Sequence, residues 1–324
     1  MTNGEKRGVW ITWERQTRNI SMSSLLGTHY FELKSNSKGI VRYIQHSFKT
    51  LYFLFSDKPE VVYFQTPSIV LGVCCVLYKK IFGKCKLVGD FHNAAFKKQP
   101  AILYAINKFI CRNSDVTLIS NPFLVELVHE MSGAAQVFPD PIPEPELPSQ
   151  LVSDNQKYLL LICSWADDEP VNDIIDAFVL SELKQSGYLL CITGRKKTGV
   201  LNREDNFYTS NGIEFTGFVD EVKYWDLLRA AQAVIDLTTR KDCLVCGAYE
   251  SLAVCTPVIL SNNQASVEYF SGFAIFTDNS VDDLSRKILL VVDENLKYKE
   301  RARSQLHQYK YRDEIAKSNL LNRL

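Results

Sequence analysis

Residues 233–261, AVIDLTTRKDCLVCGAYESLAVCTPVILS, alternate between strand-like and helix-like sequence within one short stretch. The apolar, β-branched run 233–238 is typical of a strand, and the apolar residues after Gly247 are typical of a short helix. A second apolar run, introduced by Thr256 and Pro257, predicts another strand. Strands joined through a helix lie parallel in one sheet, so this stretch predicts a parallel α/β fold.

The same alternation runs through the whole chain, which at 324 residues is long enough for two domains. Five prolines within residues 139–150 end the first series of strands and helices, because proline removes an amide donor and fixes φ. We therefore predict an N-terminal domain over 1–145, a proline-rich linker over 146–156, a second domain over 157–305 and a C-terminal helix over 306–324. Both domains are expected to be Rossmann-like, doubly wound α/β domains that face a cleft, with C-terminal helices crossing back to the first domain.

The elements of the first domain can be placed from its hydrophobic pattern. The predicted strands are 8–13, 28–33, 60–65, 85–91, 115–120 and 135–138. The predicted helices lie near 39–56, 68–82, 99–113 and 121–132. Ligands in such sheets bind beyond the carboxyl ends of the strands, so the residues that follow each strand are the candidates for function.

The charge of the chain limits its partners. Lys+Arg and Asp+Glu both number 37, so no global charge favours nucleic acid. Residues 1–150 carry 17 Lys+Arg against 12 Asp+Glu, and residues 151–324 carry 20 against 25. The basic first half could face an anionic membrane, and ordinary variation of a protein surface is the other interpretation.

Cysteine usage and hydropathy favour the cytoplasm. Most of the nine cysteines lie inside apolar runs, as in a reducing compartment, and the charged start of the chain is not typical of a signal peptide. Residues 61–78 are uncharged, but Pro67 divides them into a strand, a turn and a helix rather than a membrane span. Residues 47–55 are apolar around most of a helix, which we expect to be buried, with contact to lipid as the alternative.

The helix that begins near Gly247 has the features of an anion site. Its first amides, those of Gly247, Ala248 and Tyr249, would point towards the cleft and could hold a diphosphate together with the helix dipole. Glu250 in the first turn could accept hydrogen bonds from a ribose, and Asp242 could reach the hydroxyls of a sugar. These groups together suit a nucleotide-sugar. The alternative is that an acid in a first turn serves only to stabilise the helix dipole.

Residues 242–261 resemble the donor-site signature of the GT-B glycosyltransferases of the family 4 type, also called group 1. Asp242 stands where the signature usually has its first Glu, Glu250 matches the second Glu, and the step 256–258, Thr-Pro-Val, matches as well. Residues 213–238 are similar to the preceding part of that donor domain. Residues 61–93 are similar to the acceptor domain of such enzymes, including those that act on polyprenyl-linked sugars.

The resemblance implies a glycosyltransferase of polysaccharide or glycoconjugate synthesis. It would move a sugar from a nucleotide-sugar such as a UDP-sugar to a saccharide hydroxyl, with a polyprenyl-linked saccharide as one form of the acceptor. The nucleotide-sugar is a substrate, and the resemblance implies no cofactor and no metal. The enzyme would be cytoplasmic and could lie on the cytoplasmic face of the membrane, in contact through its N-terminal domain.

Residues 89–96, GDFHNAAF, form a second candidate group at a predicted strand end. Asp90 and His92 are the candidate catalytic residues, because either could take a proton from an acceptor hydroxyl. The resemblance implies that His92 contacts the donor sugar, and Asp90 is the better base if the reaction inverts the anomeric carbon. Gly27 and Asn93 are the candidate acceptor-binding residues. A polar turn in which Asn93 caps the next segment is the alternative.

Cations near the donor site are needed because the leaving diphosphate gains charge. Residues 193–199, TGRKKTG, place Gly194, Arg195 and Lys196 after a predicted strand, and Arg240 is a second source of positive charge. Residues 164–173, SWADDEPVND, lack the Arg and Lys that the family usually carries there. Either 195–197 or Arg240 replaces them, or the chain is a non-catalytic donor-binding or scaffolding subunit.

Two cysteines lie beside the predicted donor residues. Cys243 and Cys246 form a single C-x-x-C pair, which is half of a typical zinc site. We therefore predict that Cys246 packs beside the donor rather than binding a metal.

Overall fold

The computed structural model describes residues 8–35, 37–66, 68–91, 93–96, 100–145, 156–241 and 243–324. The chain divides into two compact units. Unit 1 comprises the residues up to Pro141 together with Tyr311–Leu324, and unit 2 comprises Ile142–Lys310. The predicted linker lies outside the described residues except for Gln156.

Unit 1 contains six parallel strands and the helices between them. The strands are β1 (Gly8–Thr12), β2 (His29–Glu32), β3 (Val61–Thr66), β4 (Lys86–Phe91), β5 (Val116–Ile119) and β6 (Ala135–Val137). The helices are α1 (Thr17–Leu25), α2 (Gly39–Asp57), α3 (Ile69–Phe82), α4 (Asn93–Phe96), α5 (Ala101–Asn113) and α6 (Val125–Glu130). The order across the sheet is β2-β1-β3-β4-β5-β6.

Unit 2 repeats this plan with a second parallel sheet. The strands are β7 (Lys157–Leu161), β8 (Tyr188–Thr193), β9 (Ile213–Gly217), β10 (Ala233–Asp236), β11 (Val258–Ser261) and β12 (Ile275–Thr277). The helices are α7 (Val171–Leu180), α8 (Asp205–Ser210), α9 (Glu221–Ala230), α10 (Cys246–Ala253), α11 (Gln264–Phe270), α12 (Val281–Asp293) and α13 (Asn295–Leu321). The order across the sheet is β12-β11-β10-β7-β8-β9.

Both faces of each sheet are covered, which explains the continuous apolar runs in the strands. Val9 and Ile11 of β1 pack into one buried cluster, and Trp10 between them packs into another on the opposite face. In β7, Leu159 and Leu160 likewise belong to clusters on opposite faces. The predicted fold class, two doubly wound parallel α/β domains, is confirmed.

The last helix belongs to both units. α13 begins in unit 2, and its final residues are part of unit 1. Leu320 is fully buried in the cluster that contains Trp10, and the Arg323 Nη1 group donates a hydrogen bond to the carbonyl of Ala135 at 3.0 Å. The C-terminal helix therefore returns to the first unit, as predicted.

Two predictions for apolar segments have different outcomes. Residues 61–66 form β3 and residues 69–82 form α3, so the division of this apolar run into strand and helix is confirmed. The helix containing 47–55 is only partly buried, because Phe48 and Tyr52 of α2 are exposed. The prediction that this segment is buried is therefore wrong for those side chains. Among the described residues, no helix has the length and hydropathy to span a membrane.

Candidate functional site

The amino end of α10 lies at the carboxyl edge of the unit 2 sheet, where the amide of Gly247 already has an acceptor. α10 begins at Cys246, and the amide of Gly247 donates a hydrogen bond to Oδ2 of Asp236 at 2.9 Å. Asp236 is the last residue of β10 and is buried. A Cβ at position 247 would lie 2.4 Å from that carboxylate oxygen, so only glycine permits this close approach.

Burial raises the pKa of the Asp236 carboxyl well above its usual value. The hydrogen bond from Gly247 opposes this rise, whereas the negative charges of Glu250, Glu169 and Asp168 add to it. A diphosphate at the tip of α10 would therefore share the Gly247 amide with an acid of the protein itself.

Glu250 is the fifth residue of α10, just beyond its first turn rather than within it as predicted, and it is buried rather than exposed to solvent. Its Oε2 atom accepts a hydrogen bond from the hydroxyl of Tyr224 on α9 at 2.5 Å. Burial, and then the charge of Glu250, raise the pKa of the Tyr224 phenol well above its usual value. The carboxylate is thus held in a fixed orientation by a neighbouring helix.

The side chains of Ala248 and Tyr249 point away from this edge of the sheet. Both belong to the buried cluster around β10 and β11, and the Tyr249 ring packs edge-on against Phe270 with ring centroids 5.1 Å apart. Only their backbone groups face the end of the helix, and the amide of Ala248 already donates to the carbonyl of Val245 at 3.4 Å. Cys246, in contrast, is exposed.

The loop after β7 closes around its own acid. The carboxylate of Glu169 accepts hydrogen bonds from the amides of Ser164 and Ala166 and from the Ser164 hydroxyl, at 2.6–3.1 Å. These are the amides that an anionic ligand would otherwise use. The sequence of this loop contains no cation. Its amides already donate hydrogen bonds to the carboxylate of Glu169.

Gly194 allows the turn after β8 to pack against the turn after β7. Its φ is +82°, and a Cβ there would lie 2.1 Å from the carbonyl oxygen of Cys163. The indole Nε1 of Trp165 donates a hydrogen bond to the carbonyl of Thr193 at 3.1 Å, which ties the two turns together.

Most candidate cations of unit 2 are paired with acids. Lys196 Nζ lies 3.1 Å from Asp205, and Arg240 Nη2 lies 2.5 Å from Asp168. Arg195 is exposed and makes no hydrogen bond or ion pair with the described part of the chain. Of the predicted cations, Arg195 is therefore the one that could meet a diphosphate without first breaking an ion pair.

The predicted catalytic acid of unit 1 is held in a buried ion pair. Asp90, at the carboxyl end of β4, accepts hydrogen bonds from Nε and Nη2 of Arg18 at 2.9 and 2.7 Å. Nη1 of the same guanidinium contacts Asp140 at 2.5 Å, and Nη2 also donates to the carbonyl of Phe138 at 3.0 Å. A carboxylate that accepts a bidentate arginine is a weak base, so this geometry favours a positioning role for Asp90.

Of three other predicted site residues, only Asn93 belongs to the part of the chain that the structure describes. His92 and Asp242 lie outside the described residues. Asn93 is the first residue of α4, directly beyond the carboxyl end of β4. It therefore lies at the edge of the sheet where ligands are expected.

The prediction that Gly27 follows a strand is wrong. α1 lies between β1 and Gly27, so Gly27 is at the amino end of β2, the opposite edge of the sheet. Gly27 has a φ of +63° and open space around it, so a turn accounts for this glycine. The polar sequence of α1, TRNISMSSL, hid the helix that separates the two strands.

A cavity that sequence reasoning missed opens at the carboxyl edge of the unit 1 sheet. Its volume is about 330 Å³. It is lined by Trp13, Glu14, Arg42, Tyr43, Ser68, Ile69, Val70, Leu103 and Ile106. The lining is mostly apolar, with the guanidinium of Arg42 and the carboxylate of Glu14 3.7 Å apart, and comes from the residues after β1 and from α2, α3 and α5.

The described residues contain no cluster of three or more His, Cys, Asp or Glu side chains that could hold a metal ion. The acids of unit 2 are instead joined to amides, hydroxyls and cations of the protein.

The structure is similar to solved glycosyltransferase-like structures at low sequence identity. HepE of Anabaena, solved in complex with UDP and glucose, superposes with a TM-score of 0.66 at 12% identity, and the match covers 98% of each chain. Sucrose-phosphate synthase of Thermosynechococcus elongatus has a TM-score of 0.67 at 13% identity, again over 98% of each chain. A trehalose-6-phosphate protein of E. coli bound with UDP-2-fluoro glucose has a TM-score of 0.67 at 9% identity, over 97% and 98%.

At these identities the structural matches establish the fold, and the family follows from the sequence. A search of curated proteins found no match to the chain. The family model described as glycosyl transferases group 1 matches residues 144–312, more than half of the chain and nearly all of unit 2. The chain therefore belongs to the group 1 glycosyl transferases, enzymes that transfer sugars.

Proposed function

We propose that the enzyme transfers a sugar from a UDP-sugar to a hydroxyl of a saccharide acceptor in polysaccharide or glycoconjugate synthesis. The observation that carries this proposal is the position of Glu250, a buried carboxylate near the amino end of α10 at the carboxyl edge of the unit 2 sheet. Uridine is proposed because HepE and the E. coli protein with the same fold were solved with UDP or a UDP-sugar.

Glu250 is proposed to bind the ribose. A carboxylate can accept about four hydrogen bonds, and the Tyr224 hydroxyl supplies one of them at 2.5 Å. A carboxylate is also the acceptor that suits two vicinal hydroxyls. Because Tyr224 fixes the rotamer of Glu250, the ribose would meet a preorganised acceptor at little entropic cost.

The diphosphate is proposed to lie between the tip of α10 and the turn after β8. The tip of α10 supplies the positive end of the helix dipole and the amides of residues 247–249, of which those of Gly247 and Ala248 would have to leave Asp236 and Val245. Arg195 supplies the positive charge that the leaving diphosphate needs, with Lys196 and Arg240 as cations that could leave Asp205 and Asp168 to join it. Gly194 keeps the turn close, Cys246 borders the ligand, and Asp242 is proposed to contact the sugar.

Unit 1 is proposed to bind the acceptor. The cavity of about 330 Å³ combines aromatic and aliphatic walls with Arg42, which would leave Glu14 to meet the phosphate of a lipid-linked saccharide. His92 is proposed as the residue that contacts the reacting sugar, and Asn93 as an acceptor contact. Asp90 would hold Arg18 and the neighbouring backbone in place. A lipid-linked acceptor would place the enzyme on the cytoplasmic face of a membrane.

The test is to incubate the protein with a panel of UDP-sugars and saccharide acceptors and to measure turnover as the release of UDP. We expect at least one UDP-sugar to be consumed, and Arg195→Gln to lower kcat at least about tenfold, because it removes the charge that stabilises the leaving group. Lys223→Gln, which removes an exposed charge on α9, should leave kcat unchanged. Saturable UDP binding without turnover on any acceptor would instead indicate a donor-binding subunit without catalytic activity.

A further inference from the structure

Helix α2 exposes a row of large apolar side chains. Ile40, Ile44, Phe48 and Tyr52 are 76%, 64%, 74% and 70% exposed. They are spaced by four residues, so they form one stripe along the helix. We call this stripe the α2 face. A stripe of this kind on a soluble surface is unusual and marks a contact with another body.

The inner side of α2 carries polar groups that fix its orientation. His46 and Thr50 are fully buried, and the Trp13 indole donates a hydrogen bond to the Thr50 hydroxyl at 3.0 Å. The His46 ring packs against Trp13 with ring centroids 5.2 Å apart, and burial together with Arg42 and Lys49 lowers its pKa, which keeps it neutral. Rotating α2 to bury the apolar stripe would break these contacts.

The neighbouring helices also expose large apolar side chains. α3 packs against both α2 and α5. Ile81 of α3 and Ile102 of α5 are exposed by 71% and 67%. The cavity proposed for the acceptor is bordered by the same three helices.

The charge around the α2 face is mostly positive, although Arg42 lies 3.7 Å from Glu14 and α2 ends at Asp57. From residue 33 to residue 56 the sequence contains four cations, Lys34, Lys38, Arg42 and Lys49, and no acid. The sequences of α3 and α5 add Lys79, Lys80, Lys108 and Arg112, again without an acid. Lys79 is held by Asp115, whereas Lys38 and Lys49 are exposed beside the stripe.

We propose that the α2 face docks on a lipid bilayer that contains anionic lipids. An amphipathic helix with aromatic and aliphatic residues outward and cations beside them matches the interfacial zone of a membrane. Each well-placed cation adds attraction to the anionic headgroups. The proposal deepens the lipid-linked acceptor proposed above, but it rests on unit 1 alone and is independent of the donor site.

A second copy of the chain is a poorer occupant of this surface. A symmetric dimer through the α2 face would bring the same patch of both chains together. The exposed cations Lys38 and Lys49 would then face the same cations of the second copy, and like charges oppose such an interface. An anionic bilayer supplies both the apolar phase and the opposite charge.

The test is flotation of the whole protein with vesicles. We expect binding to vesicles of phosphatidylcholine mixed with phosphatidylglycerol, little binding to phosphatidylcholine alone, and release by added salt. Phe48→Glu should weaken binding to the anionic vesicles at least about tenfold, because it removes an inserted aromatic ring and adds a repelled charge. Leu296→Glu changes an equally exposed residue, 77%, in unit 2 and should bind as the unsubstituted protein does.

Both variants should keep the thermal unfolding midpoint and the UDP affinity of the parent, so a failure of the donor site is distinguishable from a failure of this proposal. Equal vesicle binding by Phe48→Glu and the parent would overturn the proposal, as would a parent that binds no vesicle. A parent that ignores vesicles but forms a dimer that Phe48→Glu dissociates would assign the α2 face to self-association.

Discussion

Asp236 sets the electrostatics at the tip of α10. Its carboxylate accepts the Gly247 amide, and it lies beside the further negative charges of Glu250, Glu169 and Asp168. A donor that binds here brings two phosphates next to these acids. A neutral Asp236 would meet the donor without repulsion, so its protonation state matters for both stability and binding.

The raised pKa of Asp236 predicts an unusual pH dependence of stability. Between the unfolded pKa of about 4 and its raised folded value, the folded protein holds a proton that the unfolded chain has released. The free energy of unfolding should therefore fall as pH rises through this window. Asp236→Asn removes this contribution, so its stability relative to the parent should grow with pH, by on the order of 1 kcal/mol per unit within the window. Urea unfolding at several pH values measures it.

Asp115 provides a control, because its pKa is shifted in the opposite direction. Burial alone would raise its pKa, but the hydrogen bonds from Lys79 and the Leu87 amide and the charges of Lys79 and Lys86 lower it overall. Asp115→Asn should lose stability at neutral pH, and this loss should disappear as pH falls through the pKa. If the two variants followed the same pH trend, the assignment of Asp236 as a buried acid with a raised pKa would fail.

At the scale of elements, the short turns at the carboxyl edge of unit 2 are built on close backbone contacts. The turn after β8 lies against the turn after β7 because Gly194 has no side chain and a φ of +82°. This packing fixes the backbone before Arg195, the next residue, which belongs to the proposed donor site.

Gly194→Ala should therefore destabilise unit 2 more than an ordinary glycine substitution. Gly187 has nearly the same φ, +80°, but open space around it, so Gly187→Ala carries only the backbone strain. We expect Gly194→Ala to cost about 1–3 kcal/mol more than Gly187→Ala, because its Cβ meets the Cys163 carbonyl. Equal losses in urea unfolding would show that the two turns separate freely.

Sequence patterns identified the elements whose apolar residues are periodic and missed those held by polar contacts. β1 and β7 were predicted because both of their faces are buried. α1 was missed because it is anchored by Arg18, which bonds Asp90, and by Asn19, whose side-chain amide donates to Gln65 at 2.7 Å. Such partners lie 46 and 72 residues away, beyond any local pattern.

The candidate site could likewise be predicted only in part, because some of its contacts join residues that are far apart in the sequence. Local spacing places Glu250 near the amino end of a helix, but α10 begins one residue before the predicted start, which puts Glu250 just beyond the first turn. Its burial depends on Tyr224, which is 26 residues away, and the occupation of the Gly247 amide depends on Asp236. Local spacing therefore identified the helix, but it did not identify Asp236 as the acid that accepts the hydrogen bond of the Gly247 amide.

At the scale of the whole molecule, the C-terminal segment completes the core of unit 1. Leu320 is fully buried there, whereas Leu321 beside it is 45% exposed. Leu320→Ala should lower the free energy of unfolding of unit 1 by about 2–5 kcal/mol, and Leu321→Ala should change it by less than about 0.5 kcal/mol. Urea unfolding followed by the fluorescence of the unit 1 tryptophans measures both. Equal effects would mean that the end of α13 does not pack into this core in solution.

The central claim is that the amino end of α10 in unit 2 binds a uridine diphosphate sugar through Glu250. The most direct measurement is calorimetric titration of UDP into the whole protein and two matched variants. Glu250→Gln keeps an acceptor for the Tyr224 hydroxyl but removes the charge, so the Kd should rise at least about tenfold. Glu300→Gln, at an exposed position of α13, should leave the Kd unchanged. UDP that binds all three proteins equally, or none of them, would contradict the account.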